Sequence, residues 1–211
     1  MNKVQFLFAG GFIIALAIQK WGLHKRVALN ILKFSGLNSR GIVASFMVAS
    51  AVLSMWVMNT STAIMLLPVG ISVIKVISDT VNNVTENQKF NFQLCLLLGI
   101  AYAASVGGIA TPIGTSPNGV LIQFASNNYD YDIGFANWLS IGLPITLGLG
   151  PLIWVFLTYF IFPVNFSANQ ESKNKLDSML RELGPMSNEE KKVILVFLIA
   201  VFSWSFGQLI G

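Results

Sequence analysis

Charge is scarce in this sequence. Lys and Arg number 13 and Asp and Glu 9 in 211 residues, so only 10% of the chain is charged, against roughly 25% in ordinary soluble domains. Cysteine and histidine are scarcer still, at one each. A single cysteine, Cys95 within an apolar run, excludes a disulfide framework and a CxxC metal site. A single histidine, His24, falls on the expected polar side of a surface helix and points to a headgroup or surface role rather than catalysis. No apolar segment offers a His, Lys or Asp base to activate Ser54, Ser61 or Ser105, which argues against an intramembrane hydrolase. The net charge of +4 comes from basic residues scattered at the ends of apolar runs. That distribution argues against nucleic acid and reads as membrane topology.

What is abundant is grease. The chain is 54% hydrophobic with a mean hydropathy of +0.68, gathered in runs of about 17–20 residues, the length that crosses a bilayer. The expected class is an all-α polytopic membrane protein. No small-residue cleavage site follows the first run, so it reads as a transmembrane helix rather than a signal peptide.

The segments follow from the runs. Residues 1–38 hold a transmembrane helix (Val4–Gln19) and an amphipathic interfacial helix. In the latter, Leu23, Val27, Ile31 and Phe34 recur at helical spacing opposite His24, Lys25, Arg26 and Lys33. Residues 39–77 read as a re-entrant helical hairpin: Gly41–Met58, then the polar tetrad Asn59-Thr60-Ser61-Thr62, then Ala63–Ile77. At about 1.5 Å per residue the second arm is ~22 Å, short of the ~30 Å hydrocarbon core. A tip of Asn and Thr facing lipid would be costly, so the tip is expected to stop inside the protein. Residues 88–127 read as a discontinuous helix, because Gly107, Gly108, Pro112, Gly114, Pro117 and Gly119 do not fit one regular helix. A further span (137–163), a polar and mostly helical connector (164–192) and the start of another span (193–211) complete the chain. The positive-inside rule puts Lys20 to Arg40, Lys75, Lys89 and Lys173 to Lys192 in the cytoplasm and the Ser126–Asn137 loop outside.

Two breaks, "NTST" and "TPIGTSPN", therefore sit within apolar sequence. Broken membrane helices aim half-helix N-termini at anions, while freed carbonyls coordinate a coupling ion. Sodium wants hard oxygens, and Ser54, Asn59 and Gly114 are suited to supply them. Neither break contains Asp or Glu, which fits an anion bound beside a cation, each balancing the other.

"SMWVMNTSTAIMLLPVG", followed some forty residues later by "GGIATPIGTSPNGVLIQF" and then by "LGPMSNEEKKVILVFL", resembles the N-terminal half of the divalent anion/sodium symporter family of dicarboxylate, citrate and sulfate carriers. The resemblance implies one of two inverted repeats, a homodimer in the full-length protein, and an elevator-type motion in which the helix around Gly22–Phe34 joins the transport domain to the dimer scaffold. It implies a sodium site formed by Ser54, the residue at 58, Asn59 and the carbonyl of Gly114, with Asn59 and Thr60 touching a substrate carboxylate. No cofactor is implied beyond sodium as coupling ion. The location implied is the plasma (bacterial inner) membrane, with membrane lipid and a small anionic substrate as partners.

Two departures bear on this. The tip reads Met58-Asn59-Thr60 instead of Ser-Asn-Thr, and a thioether is a poor sodium ligand, so Met58 offers only its carbonyl. Proton coupling and anion exchange therefore stay open. The second repeat is absent, so the chain is expected to be a fragment; a non-transporting half-size membrane subunit is the other reading.

Overall fold

The computed structural model describes residues 3–33, 36, 38–81 and 84–210, with side chains for all of these except 3–5, 7, 8 and 205–210. Every regular element among them is helical: α1 (Lys3–Lys20), α2 (Leu23–Lys33), α3 (Ser39–Ser54), α4 (Asn59–Thr80), α5 (Glu86–Gly107), α6 (Ser116–Tyr129), α7 (Phe135–Val155), α8 (Gln170–Glu182) and α9 (Asn188–Ile210). A π-helical turn, Phe156–Ile161, continues α7. By length and composition α4, α5 and α7 with its π turn are able to cross a membrane. This is the helical, apolar architecture the composition predicts.

The core forms where α3 lies along α5. Val43 and Met47 pack on Gly99, Ser50 donates its hydroxyl to the Ile100 carbonyl at 2.7 Å, and Gly107 lies flat on Ala51. The two helices therefore run parallel. A methyl on Gly107 would stand 2.5 Å from the Ala51 Cα, so the close approach requires glycine. Helix α7 returns antiparallel, with Thr146 donating to the Val106 carbonyl at 3.0 Å and Trp154 donating to the Arg40 carbonyl at 3.0 Å.

The base of the α3–α4 hairpin is fastened to one stretch of chain. Arg40 donates to the Val164 carbonyl at 2.8 Å, its guanidinium lying 3.8 Å from the Tyr159 ring centre, while Ser39 N donates to the Phe166 carbonyl at 3.0 Å. At the other end of the hairpin, Asn169 donates to the Thr80 carbonyl at 2.7 Å and the Thr80 and Ser172 hydroxyls meet at 2.5 Å. Both arms thus begin and end against residues 164–172, as antiparallel arms must.

Several boundaries differ from the expectation. The hairpin bends at Met55–Met58, and the polar tetrad forms the first turn of α4. The second arm is therefore 22 residues long, and the shorter arm is α3 with 16. Nothing ends α4 at Ile77, because Lys75 and Asp79 are tolerated on its exposed side. Pro68 lies inside the helix without breaking it. Helix α6 runs to Tyr129, so Ser126–Tyr129 are helical rather than loop.

In α2 the buried side is Leu23, His24, Ala28, Leu29 and Leu32, with Val27 and Ile31 only half-buried; Phe34 lies outside the described residues. His24 is therefore not on a polar face. It is 6% exposed, and burial pulls its pKa below the usual histidine range, against the opposing effect of its bond to the Ile18 backbone. The connector is likewise more than a solvated linker. Leu176, Met179, Leu180 and Leu183 pack on the core, and Arg26 of α2 grips the corner between α8 and α9. It meets Glu190 through two bonds, of 2.8 and 3.2 Å, and donates to the Gly184 and Leu183 carbonyls at 3.0 and 3.1 Å.

Candidate functional site

The first break is a tight corner. Met55 N donates to the Ala51 carbonyl at 3.1 Å, and Trp56 N and Val57 N both donate to the Leu53 carbonyl, at 3.1 and 2.9 Å. Helix α4 then starts on the polar tetrad. Thr62 is fully buried; its N–H reaches the Met58 carbonyl at 2.9 Å and its hydroxyl the Val57 carbonyl at 3.3 Å. The Asn59 Oδ1 accepts the Thr60 N–H at 2.9 Å. Asn59 and Ser61 are half-buried and Thr60 is exposed.

The second break, Gly108–Thr115, is held open by one amide. Asn118 donates to the carbonyls of Gly108 and Thr111, both at 2.8 Å, and so fixes the unwound chain at two points. Gly114 N is received by the Thr111 hydroxyl at 3.2 Å. From α7, Trp138 donates to the Ile109 carbonyl at 2.9 Å. Gly142 packs where a methyl would lie 2.5 Å from that same oxygen.

The two breaks meet. The Thr111 hydroxyl donates to the Met55 carbonyl. A side chain on Gly114 would stand 2.6 Å from the Gly108 carbonyl oxygen and 2.8 Å from that of Ser54. The Ser54 side chain, on the residue whose carbonyl meets Gly114, is fully buried, and its hydroxyl has no hydrogen-bond partner among the described residues. A buried hydroxyl left unpaired costs about 1–3 kcal/mol unless something supplies its partner. Among the described residues no group of three or more His, Cys, Asp or Glu stands ready for a metal. A cation here would meet hydroxyl and carbonyl oxygens, the donor set that suits sodium.

The helix starts at the breaks share a second property. α3, α5 and α8 begin with side-chain caps from Asn38, Thr85 and Asn169. α4 and α6 begin at Met58 and Thr115 with none; α7, starting from Gly134, is also uncapped. An uncapped helix start presents backbone N–H groups and the positive end of its dipole, a ready anion site.

Of the residues expected at the site, Ser54 and Gly114 are brought side by side. Asn59 and Thr60 sit on the same corner, but the Asn59 oxygen is directed at its own helix start. The Met58 carbonyl serves the first turn of α4, and Met58 lines a groove with Phe12, Leu16 and Met65 on the α1 side. Thr111, Asn118, Trp138 and Thr146 are contributors that sequence reasoning passed over. Thr111 and Asn118 were visible as the small polar residues flanking Gly and Pro; the α7 pair carried no such signal.

The family model described as the sodium:sulfate symporter transmembrane region matches residues 1–211. The chain is 37% identical over 204 residues to the sodium-dependent dicarboxylate transporter SdcS of Staphylococcus saprophyticus, covering 96% of this chain and 39% of that protein. It is 36% identical over 204 residues to the transporter of the same name from Staphylococcus aureus strain USA300, with the same coverage of 96% and 39%. The chain thus spans about two fifths of the length of these relatives.

Proposed function

The chain belongs to the sodium:sulfate symporter transmembrane region family, and from that premise we propose that the full protein is a sodium-coupled symporter of small di- or tricarboxylates to which this chain contributes one half of the binding site. It is an integral protein of the plasma membrane, and the names of its family and relatives are those of transporters rather than enzymes.

One observation carries the proposal: two helix breaks are joined through Thr111 and Met55, the Ser54 carbonyl lies against Gly114, and the buried Ser54 hydroxyl has no partner among the described residues. In the proposed carrier Ser54, Asn59 and the carbonyls of Met58 and Gly114 surround sodium. The uncapped starts of α4 and α6, with Asn59 and Thr60, face the substrate carboxylate. Bound cation and anion neutralise each other, so the site needs no fixed charge. The inverted second repeat supplies the facing half, and two copies of the full protein form the scaffold against which α2 carries the hairpin in an elevator motion.

Hairpin length supports re-entrance even though α4 is longer than expected. The whole of α4 is long enough to cross, but counting from exposed Lys75, its charged residue nearest the tip, Asn59 is about 24 Å away at 1.5 Å per residue, less than the ~30 Å hydrocarbon core.

The use of Met58 favours a second reading. Its carbonyl already accepts a helix bond and it lines a groove on the α1 side, leaving the sodium site one hydroxyl poorer; proton coupling or exchange is the alternative. Full-length protein in proteoliposomes separates these. We expect an inward sodium gradient, but not an equal potassium gradient, to drive succinate accumulation. Accumulation driven by a proton gradient without sodium, or only by internal dicarboxylate, would establish the alternative.

A further inference from the structure

We propose that the slot between α2 and α8 binds an aminophospholipid, a glycerolipid whose headgroup carries a phosphate and a primary ammonium. The slot has a volume of about 90 Å³. Its walls are leucines, Leu29 and Leu32 from α2 and Leu176 and Leu180 from α8, and its rim carries Lys33, Lys173 and Asp177.

The rim charges are idle. Lys33 and Lys173 are exposed and Asp177 is half-buried, and among the described residues none of the three side chains makes an ion pair or hydrogen bond. Elsewhere on the same helix, Lys175 and Glu171 pair at 2.9 Å. Lys173 and Asp177 have the same four-residue spacing in the reverse order, the weaker one for pairing on a helix, and they stay apart around the slot.

Two ammonium groups and one carboxylate on an apolar slot are the complement of one particular headgroup. A phosphate diester takes charge-assisted hydrogen bonds from the lysines. A primary ammonium donates to Asp177, and the glycerol and first methylenes lie on the leucines. A quaternary ammonium has no N–H to donate to the carboxylate. A purely anionic headgroup would leave Asp177 unpaired beside it. The leucine walls favour a lipid over a soluble phosphate. The slot belongs to two amphipathic helices of an integral membrane protein, where basic pockets at the membrane surface meet lipid headgroups.

The test is lipid retention by delipidated full-length protein, read by native mass spectrometry. The protein is incubated with an equal mixture of phosphatidylethanolamine, phosphatidylcholine and phosphatidylglycerol of identical acyl chains. We expect about tenfold preference for the ethanolamine lipid, the worth of one charge-assisted hydrogen bond. Asp177→Asn should abolish its advantage over phosphatidylglycerol. Lys33→Gln with Lys173→Gln should abolish retention of both, while Lys175→Gln should change nothing. Equal retention of all three lipids, or a preference that survives these substitutions, would overturn the proposal. So would equal protection by soluble phosphoethanolamine, which would make the ligand a free phosphate compound. The outcome does not depend on whether the protein transports.

Discussion

Thr111 of the second break donates its hydroxyl to the Met55 carbonyl of the first, and this bond makes two interruptions that are distant in sequence into one structural unit. The same hydroxyl receives Gly114 N at 3.2 Å. It therefore positions the glycine that lies against Ser54.

Replacing Thr111 with valine keeps the shape and removes both bonds. The Met55 carbonyl then loses its partner, at about 1–3 kcal/mol, while Gly114 N keeps only its longer bond to the Thr111 backbone carbonyl, at 3.3 Å. We expect a lower melting temperature for full-length protein in detergent and weakened sodium activation of uptake, with Thr111→Ser close to the parent. A valine variant with unchanged sodium activation would remove Thr111 from the site.

The corner held by Arg26 predicts a pH response. Glu190 is held below the usual carboxylate range chiefly by its hydrogen bonds from Arg26, with smaller help from Ser187 and against the opposing effect of burial. A depressed pKa in the folded state means that the unfolded chain binds the proton first. The contribution to stability is therefore full above the ordinary glutamate value of about 4.3 and is lost as pH falls through the lower, folded value. The contribution of this pair should not change with pH near neutrality and should decline in acid. Removing one partner of such a largely buried pair costs about 3 kcal/mol, so Arg26→Gln should melt earlier at pH 7 and lose part of that acid dependence. Melting curves from pH 7 down to pH 4 or lower, for both proteins, check this.

Met58 and Asn59 should behave oppositely. Met58→Ser adds a hydroxyl oxygen at the corner, and we expect sodium to activate uptake at lower concentration, by ~1–2 kcal/mol, the worth of one polar contact. Asn59→Ala removes an amide that no neighbour replaces and should abolish uptake. The sodium dependence of uptake by both full-length variants measures this, and normal uptake by Asn59→Ala would remove that residue from the site.

The apolar runs and their interruptions were legible in the sequence because bilayer length and Gly/Pro chemistry are local signals. The start of α4 was not. The tetrad is polar enough to read as a loop, yet Thr62 bonds back to Met58 and Val57 and turns it into a helical first turn. His24 was placed on the wrong side because charged neighbours dominate the pattern of α2, whereas the packing of Leu29 and Leu32 sets its rotation. At the site, oxygen-bearing residues near glycines were recognisable. The bonds from Thr111, Asn118 and Trp138 cross between elements, and no spacing within one segment reveals them.

The most direct test of the central claim is the sodium dependence of dicarboxylate uptake by full-length protein and by Ser54→Ala, in proteoliposomes at fixed substrate. The buried, unpartnered Ser54 hydroxyl is assigned to sodium, so its removal should raise the sodium concentration for half-maximal uptake by about tenfold, the equivalent of one polar contact, while the variant melts no lower than the parent in the absence of sodium, because an unpaired buried hydroxyl has been removed. Uptake that rises with sodium identically in both proteins, or that ignores sodium in both, would contradict the assignment.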